Sequence, residues 1–120
     1  MLDNLRWSSV EHYYQAQKFP QTDICDRIRN AATSLQARKI ARNRSLLPRS
    51  DWSEIKELVM IKGVSAKFEQ NRKLLKSLVA TKTEILIHHS SQDLFWGQND
   101  EGVGDNRLGQ ILMEVRQRLQ

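Results

Sequence analysis

A chain of 120 residues and 14.0 kDa is the size of one domain and leaves no room for two independent cores. Its 39% hydrophobic and 28% charged residues describe a folded globular chain, and its longest apolar run, Leu58 to Ile61, excludes a membrane helix, which needs about 20 such residues. Nineteen Lys and Arg against fourteen Asp and Glu give a net charge of +5 and a pI near 9.7, a balance that favours anionic partners. The first helix is expected from a capping box, Ser8 at the cap and Glu11 three residues on, and runs to about Phe19 before Pro20 stops it. A short helix over 23–30 follows, then one that starts near Thr33 and fades around Asn43. Asp51 and Glu54 form a second capping box, opening a helix with Ile55, Leu58 and Val59 on one stripe. Gly63 predicts a break or kink, after which Val64, Phe68, Leu75, Leu78 and Val79 continue the helical spacing. Residues 84–88, with Ile-Leu-Ile at their centre, are the best strand candidate. Asn106 is expected to cap a last helix in which Leu108, Ile111, Leu112, Val115 and Leu119 share a face. The fold class is therefore mainly α, a single domain over 1–120 with at most a small β element.

The positive excess is spread along the chain. Its densest stretch, Arg38 to Arg44, suits either a solvated surface or an anionic ligand. Cys25 is the only cysteine, which excludes an internal disulfide and a Cys-rich zinc site. With no apolar leader behind Met1, a cytoplasmic protein is expected. His88 and His89 are adjacent and would point to opposite faces of a strand, so they are not expected to chelate one metal.

Three constellations carry chemistry. On the first helix Glu11, Tyr14, Gln15 and Lys18 fall within about a 100° arc, which puts a carboxylate, a phenol, an amide and an amine on one face. The plainer reading is that Glu11 closes a capping box and Lys18 lies along the surface. The second is Asp93-Leu94-Phe95-Trp96-Gly97 with the glycine-rich turn Gly102, Gly104 and Asn106. Glycines there allow close approach of a ligand, and the helix behind Asn106 offers amides for a phosphate. The plainer reading is a flexible turn with Trp96 in the core. The third is Trp52, which either packs inside or stacks on a base.

The segment from Trp7 to Phe19 resembles the W-P-T-x-E-H-Y-F-Q-A-x-K-F signature of the NADAR family of YbiA-like N-glycosidases. The resemblance continues through Ala37-Arg38, Trp52 to Met60, Lys67 to Gln70, Asp93 to Gly97, Gly102 to Gly109 and Leu112 to Arg116. It implies a largely helical single-domain fold that hydrolyses N-glycosidic bonds without metal or cofactor. Bacterial members act on early riboflavin-pathway intermediates, releasing ribose 5-phosphate from a pyrimidine. Other branches remove ADP-ribose from guanine bases, so nucleic acid enters only as a modified substrate. The resemblance makes Glu11, Lys18 and Asp93 catalytic, and Tyr14, Gln15, Trp52, Trp96, Gly97, Gly102, Gly104 and Asn106 substrate-binding. Lys18 is expected either to attack the sugar and form a Schiff base or to contact phosphate or hydroxyl groups. No membrane partner is expected. Family members usually carry an F-S-N-F motif ahead of this signature, and many have Glu at the position of His88. Trp7 stands six residues after Met1, so one wall of the pocket is expected to be missing and the chain to self-associate or bind weakly. A nucleotide-binding module without turnover is the alternative outside the enzyme class.

Overall fold

The hydroxyl side chains of Ser9, Thr22 and Thr33 each accept the amide three residues ahead and start three short helices: α1 (Val10–Ala16), α2 (Asp23–Arg29) and α3 (Ser34–Ala41). Each such cap contributes about 1 kcal/mol. The computed structural model describes residues 1–43 and 45–120. Arg44, the end of the basic stretch, lies outside them. The chain divides into two compact units, Met1–Ala66 and Lys67–Gln120.

In the first unit the cap of α1 is Ser9, one residue later than the sequence suggests. Glu11 thus falls at the second helical position, and its carboxylate bonds to side chains instead of closing a capping box. The helix ends at Ala16, and Lys18 and Phe19 follow in tight turns, their amides reaching the carbonyls of Gln15 and Ala16. Ala16, Ala37 and Ala41 are buried and small, which lets α1 and α3 approach closely. Phe19 and Ile28 fill the space between, with Trp7, Ile24, Cys25 and Leu46 packed around them. His12, only 2% exposed, fixes α1 from behind: Nε2 donates to the Ala31 carbonyl at 3.0 Å, so Nδ1 accepts the Ser9 hydroxyl at 2.6 Å.

The helix α4 (Trp52–Glu69) runs unbroken through Gly63, where a kink is expected from sequence. A Cβ at Gly63 would stand 3.1 Å from Val10 Cγ1 and 3.3 Å from Tyr13 Cδ2, so the glycine is there for the approach of α1. The N-terminal residues lie on the same junction. Asp3 accepts the Tyr13 hydroxyl at 3.1 Å and Lys62 Nζ at 2.7 Å, and Trp7 meets Tyr13 edge-on. Burial, with the Asp3 charge, pushes the Tyr13 phenol well above its usual range.

In the second unit the helix breaks at Asn71, whose backbone is extended, and resumes as α5 (Arg72–Ala80). Sequence periodicity misses that break because no glycine or proline marks it. Residues 84–88 are not a strand; among the described residues only the isolated bridges Leu2–Leu5 and His89–Gln98 pair extended chain. The Asn106 amide takes the place of a ladder: Oδ1 accepts the His88 amide at 2.8 Å and Nδ2 donates to the Leu86 carbonyl at 2.9 Å. Asn106 adopts a left-handed conformation before α6 (Arg107–Leu119), and its side chain does not cap that helix. The buried Arg116 of α6 donates to Thr81 Oγ1 at 2.8 Å and the Glu84 carbonyl at 2.9 Å. The architecture is mainly helical, as the sequence indicates. No helix among the described residues is long and apolar enough to cross a membrane.

Candidate active site

The first unit gathers Glu11, Tyr14, Gln15, Lys18 and Trp52. Glu11 Oε1 accepts two bonds, from Gln15 Nε2 at 2.7 Å and from Arg38 Nε at 3.2 Å. Both donors converge on one oxygen, so Oε2 is the atom with no bond among the described residues. Gln15 is 4% exposed, and because Nε2 must face the carboxylate, Oε1 is fixed as the other end of the amide. That oxygen is buried and has no donor among the described residues.

Lys18 follows one turn later. Its Nζ lies 5.7 Å from the ring centres of both Tyr14 and Trp52, which meet edge-on at 5.0 Å. The Arg49 amide donates to the Lys18 carbonyl at 2.8 Å, tying the loop before α4 to the turn after α1 and bringing Trp52 alongside. Burial lowers the Lys18 pKa below the ordinary lysine value. The positive charges of Arg42 and Lys56 lower it further, and Glu11 opposes them. The site thus offers a half-buried carboxylate held by two donors, an amine whose pKa is lowered by burial and by neighbouring positive charge, and an aromatic pair beside it.

Arg38 and Arg42 are the contributors that sequence reasoning leaves in an undivided basic stretch. Arg38 lies in the last turn of α3 and Arg42 is its C-cap, and their i, i+4 spacing is the signal available in the sequence.

The remaining sequence candidates lie in the second unit. Asp93 Oδ1 accepts the amides of Phe95 at 3.2 Å and Trp96 at 3.0 Å, forming the turn that carries them. Trp96 is 8% exposed and edge-on to Phe95. Gly104 has φ +131°, and a Cβ there would run into the Gly97 carbonyl oxygen, so Gly97 and Gly104 lie backbone to backbone. Gly102, at φ +77°, faces open space. The expectation of free amides ahead of α6 is corrected. Asp105, Asn106, Arg107 and Leu108 donate to the carbonyls of Leu94, Gly97, Phe95 and Trp96, so the 94–97 turn already fills the place proposed for a phosphate.

The NADAR domain model matches residues 1–120. The N-glycosidase YbiA of Shigella boydii is 42% identical over 118 residues, covering 98% of this chain and 74% of that protein. The riboflavin biosynthesis protein VVA0006 of Vibrio vulnificus is 43% identical over 114 residues, 95% of this chain and 31% of that protein. The NMR structure of Escherichia coli YbiA superimposes with a TM-score of 0.89 at 41% identity, covering 98% of this chain and 70% of that one. The polar face of α1, the helical architecture and these matches agree: the chain belongs to the NADAR domain family.

Proposed function

We propose that this N-glycosidase cleaves the bond between ribose 5-phosphate and the amine of a pyrimidine intermediate of riboflavin synthesis. The observation that carries the reading is the Lys18 amine, its pKa lowered by burial, which stands just past the end of α1 and near enough to the two-donor carboxylate of Glu11 to feel its charge. The similarity to YbiA N-glycosidases and to a riboflavin biosynthesis protein supports the substrate class.

In a ribosylamine the nitrogen lone pair expels the ring oxygen, which takes a proton, and C1′ becomes an imine carbon. Neutral Lys18 adds to C1′ and the aminopyrimidine leaves with a proton, so the sugar is held as a lysine imine. Water adds to that imine and returns the free amine and the aldehyde of ribose 5-phosphate. One C–N bond is broken and one water consumed. Glu11 Oε2 shuttles the protons and offsets the positive charge that grows at C1′. Trp52 and Tyr14 provide a stacking surface for the base. Arg42 and Lys56, whose charges reach Lys18, are the cations assigned to the phosphate.

The test is incubation with the phosphoribosylaminopyrimidine and, separately, with an ADP-ribosylated guanine oligonucleotide, following release of base by chromatography. Release from the pyrimidine alone is the expected result. Release from the oligonucleotide alone would transfer the activity to ADP-ribosyl hydrolysis. Binding of either without release would make the chain a binding module.

A further inference from the structure

The Gln15 amide has a bonded end and an unmatched end. Its Nε2 donates to Glu11 Oε1 at 2.7 Å, while its Oε1 is buried with no donor among the described residues. Native interiors rarely leave a buried amide oxygen unmatched, because it has given up its water bonds without replacement. Flipping the amide would relieve nothing: the oxygen would then face the carboxylate, like against like. The side chain is 4% exposed and set by α1, so it has little freedom to find another donor. A donor on a bound substrate would satisfy that oxygen.

The position of that oxygen says which part of the substrate supplies it. The Gln15 oxygen lies within about 5 Å of Glu11 Oε1, the sum of one hydrogen bond and the width of an amide group. On the proposed reaction, which this inference assumes, the Glu11 carboxylate stands beside C1′ of the sugar. The hydroxyl on the adjacent carbon is the 2′-hydroxyl.

We propose that Gln15 Oε1 accepts a hydrogen bond from the 2′-hydroxyl of the substrate's ribose, making the site selective for ribosyl over 2′-deoxyribosyl compounds. The same amide then performs two tasks, holding the catalytic carboxylate with its nitrogen and reading the sugar with its oxygen. A 2′-deoxy sugar would leave the oxygen buried and unmatched in the complex, a loss on the order of 10- to 100-fold in affinity or kcat/KM.

Two measurements test this. Isothermal titration of the wild-type chain with ribose 5-phosphate and with 2-deoxyribose 5-phosphate needs no turnover and is expected to show at least 10-fold weaker binding of the deoxy sugar. Kinetics on the ribosyl and 2′-deoxyribosyl aminopyrimidine phosphates should show the same preference. Gln15→Met keeps the length and burial without the acceptor. Its ribose-to-deoxyribose ratio should collapse to within about 3-fold, even though its kcat also falls because Glu11 loses a donor. Equal affinity of the wild type for the two sugar phosphates, or an undiminished ratio in Gln15→Met, overturns the assignment. Should Gln15→Met fail to fold, the wild-type ratios alone decide. Absence of turnover on every ribosyl substrate would sink the proposed reaction, whereas equal turnover of ribosyl and deoxyribosyl forms would sink only the role of Gln15.

Discussion

Arg38→Gln separates holding the Glu11 carboxylate from holding the fold. The guanidinium meets Glu11 Oε1 at 3.2 Å, with side chains 42% and 25% exposed. A pair so open to water contributes at most about 1 kcal/mol, so the melting temperature should fall by no more than about 5 °C. The effect on turnover should be larger in proportion. Glu11 retains the Gln15 bond at 2.7 Å but loses the second donor that fixes its rotation. A fall in kcat of about 10-fold, equivalent to about 1.4 kcal/mol of barrier, is expected. Glu11→Gln, which removes the proton carrier itself, should lose about 10²- to 10⁴-fold with similarly small loss of stability. Thermal melts and steady-state kinetics on both variants provide the comparison. A raised KM with unchanged kcat in Arg38→Gln would mean that the guanidinium contacts the substrate directly. Unchanged kcat and KM together would refute a positioning role.

On the proposed mechanism Lys18 reacts as the neutral amine, so kcat/KM should rise with pH through its lowered pKa and level off above it. Removing a neighbouring positive charge in Arg42→Gln raises that pKa, so the limb of the pH profile should move to higher pH and the rate at pH 7 should fall; a limb that does not move would separate Arg42 from Lys18. Trp52 is half-buried against Tyr14, so Trp52→Ala should lose about 1–3 kcal/mol by denaturant melt and most of its turnover, while Trp52→Phe keeps more of both. Unfolding of the alanine variant with unimpaired turnover in the phenylalanine one would make Trp52 a packing residue only. Asp93→Asn keeps an oxygen for the amides of Phe95 and Trp96 and removes the charge. The catalytic role that the family resemblance implies requires turnover to drop with the melting temperature nearly unchanged, and full turnover would confine Asp93 to holding its turn.

What the sequence makes legible is local. Hydroxyl caps, helical spacing and the polar face of α1 depend on residues three or four apart, and these put Glu11, Tyr14, Gln15 and Lys18 together on the strength of local sequence. What it hides depends on partners distant along the chain. Gly63 reads as a breaker because Val10 and Tyr13, which need the room, are some 50 positions away. Residues 84–88 read as a strand because three aliphatic residues, Ile85, Leu86 and Ile87, stand at their centre. Their bonding partner is a single side chain at position 106 and not a second strand. The same remoteness hides the filling of the first amides of α6 by the 94–97 carbonyls. Arg38 belongs to the same class: its partner Glu11 is 27 residues earlier, and composition alone records only another positive charge.

The central claim, that the amine of Lys18 bonds to the sugar during turnover, is open to direct trapping. The wild-type chain is mixed with the phosphoribosylaminopyrimidine, sodium borohydride is added while base is being released, and the digested protein is mapped by mass spectrometry. Borohydride reduces an imine to a stable secondary amine, so the peptide containing Lys18 is expected to carry a covalent ribose 5-phosphate. No such adduct should form without substrate or in Lys18→Ala. Active release of base with no adduct on that peptide, or the same rate of release from Lys18→Ala, would contradict it.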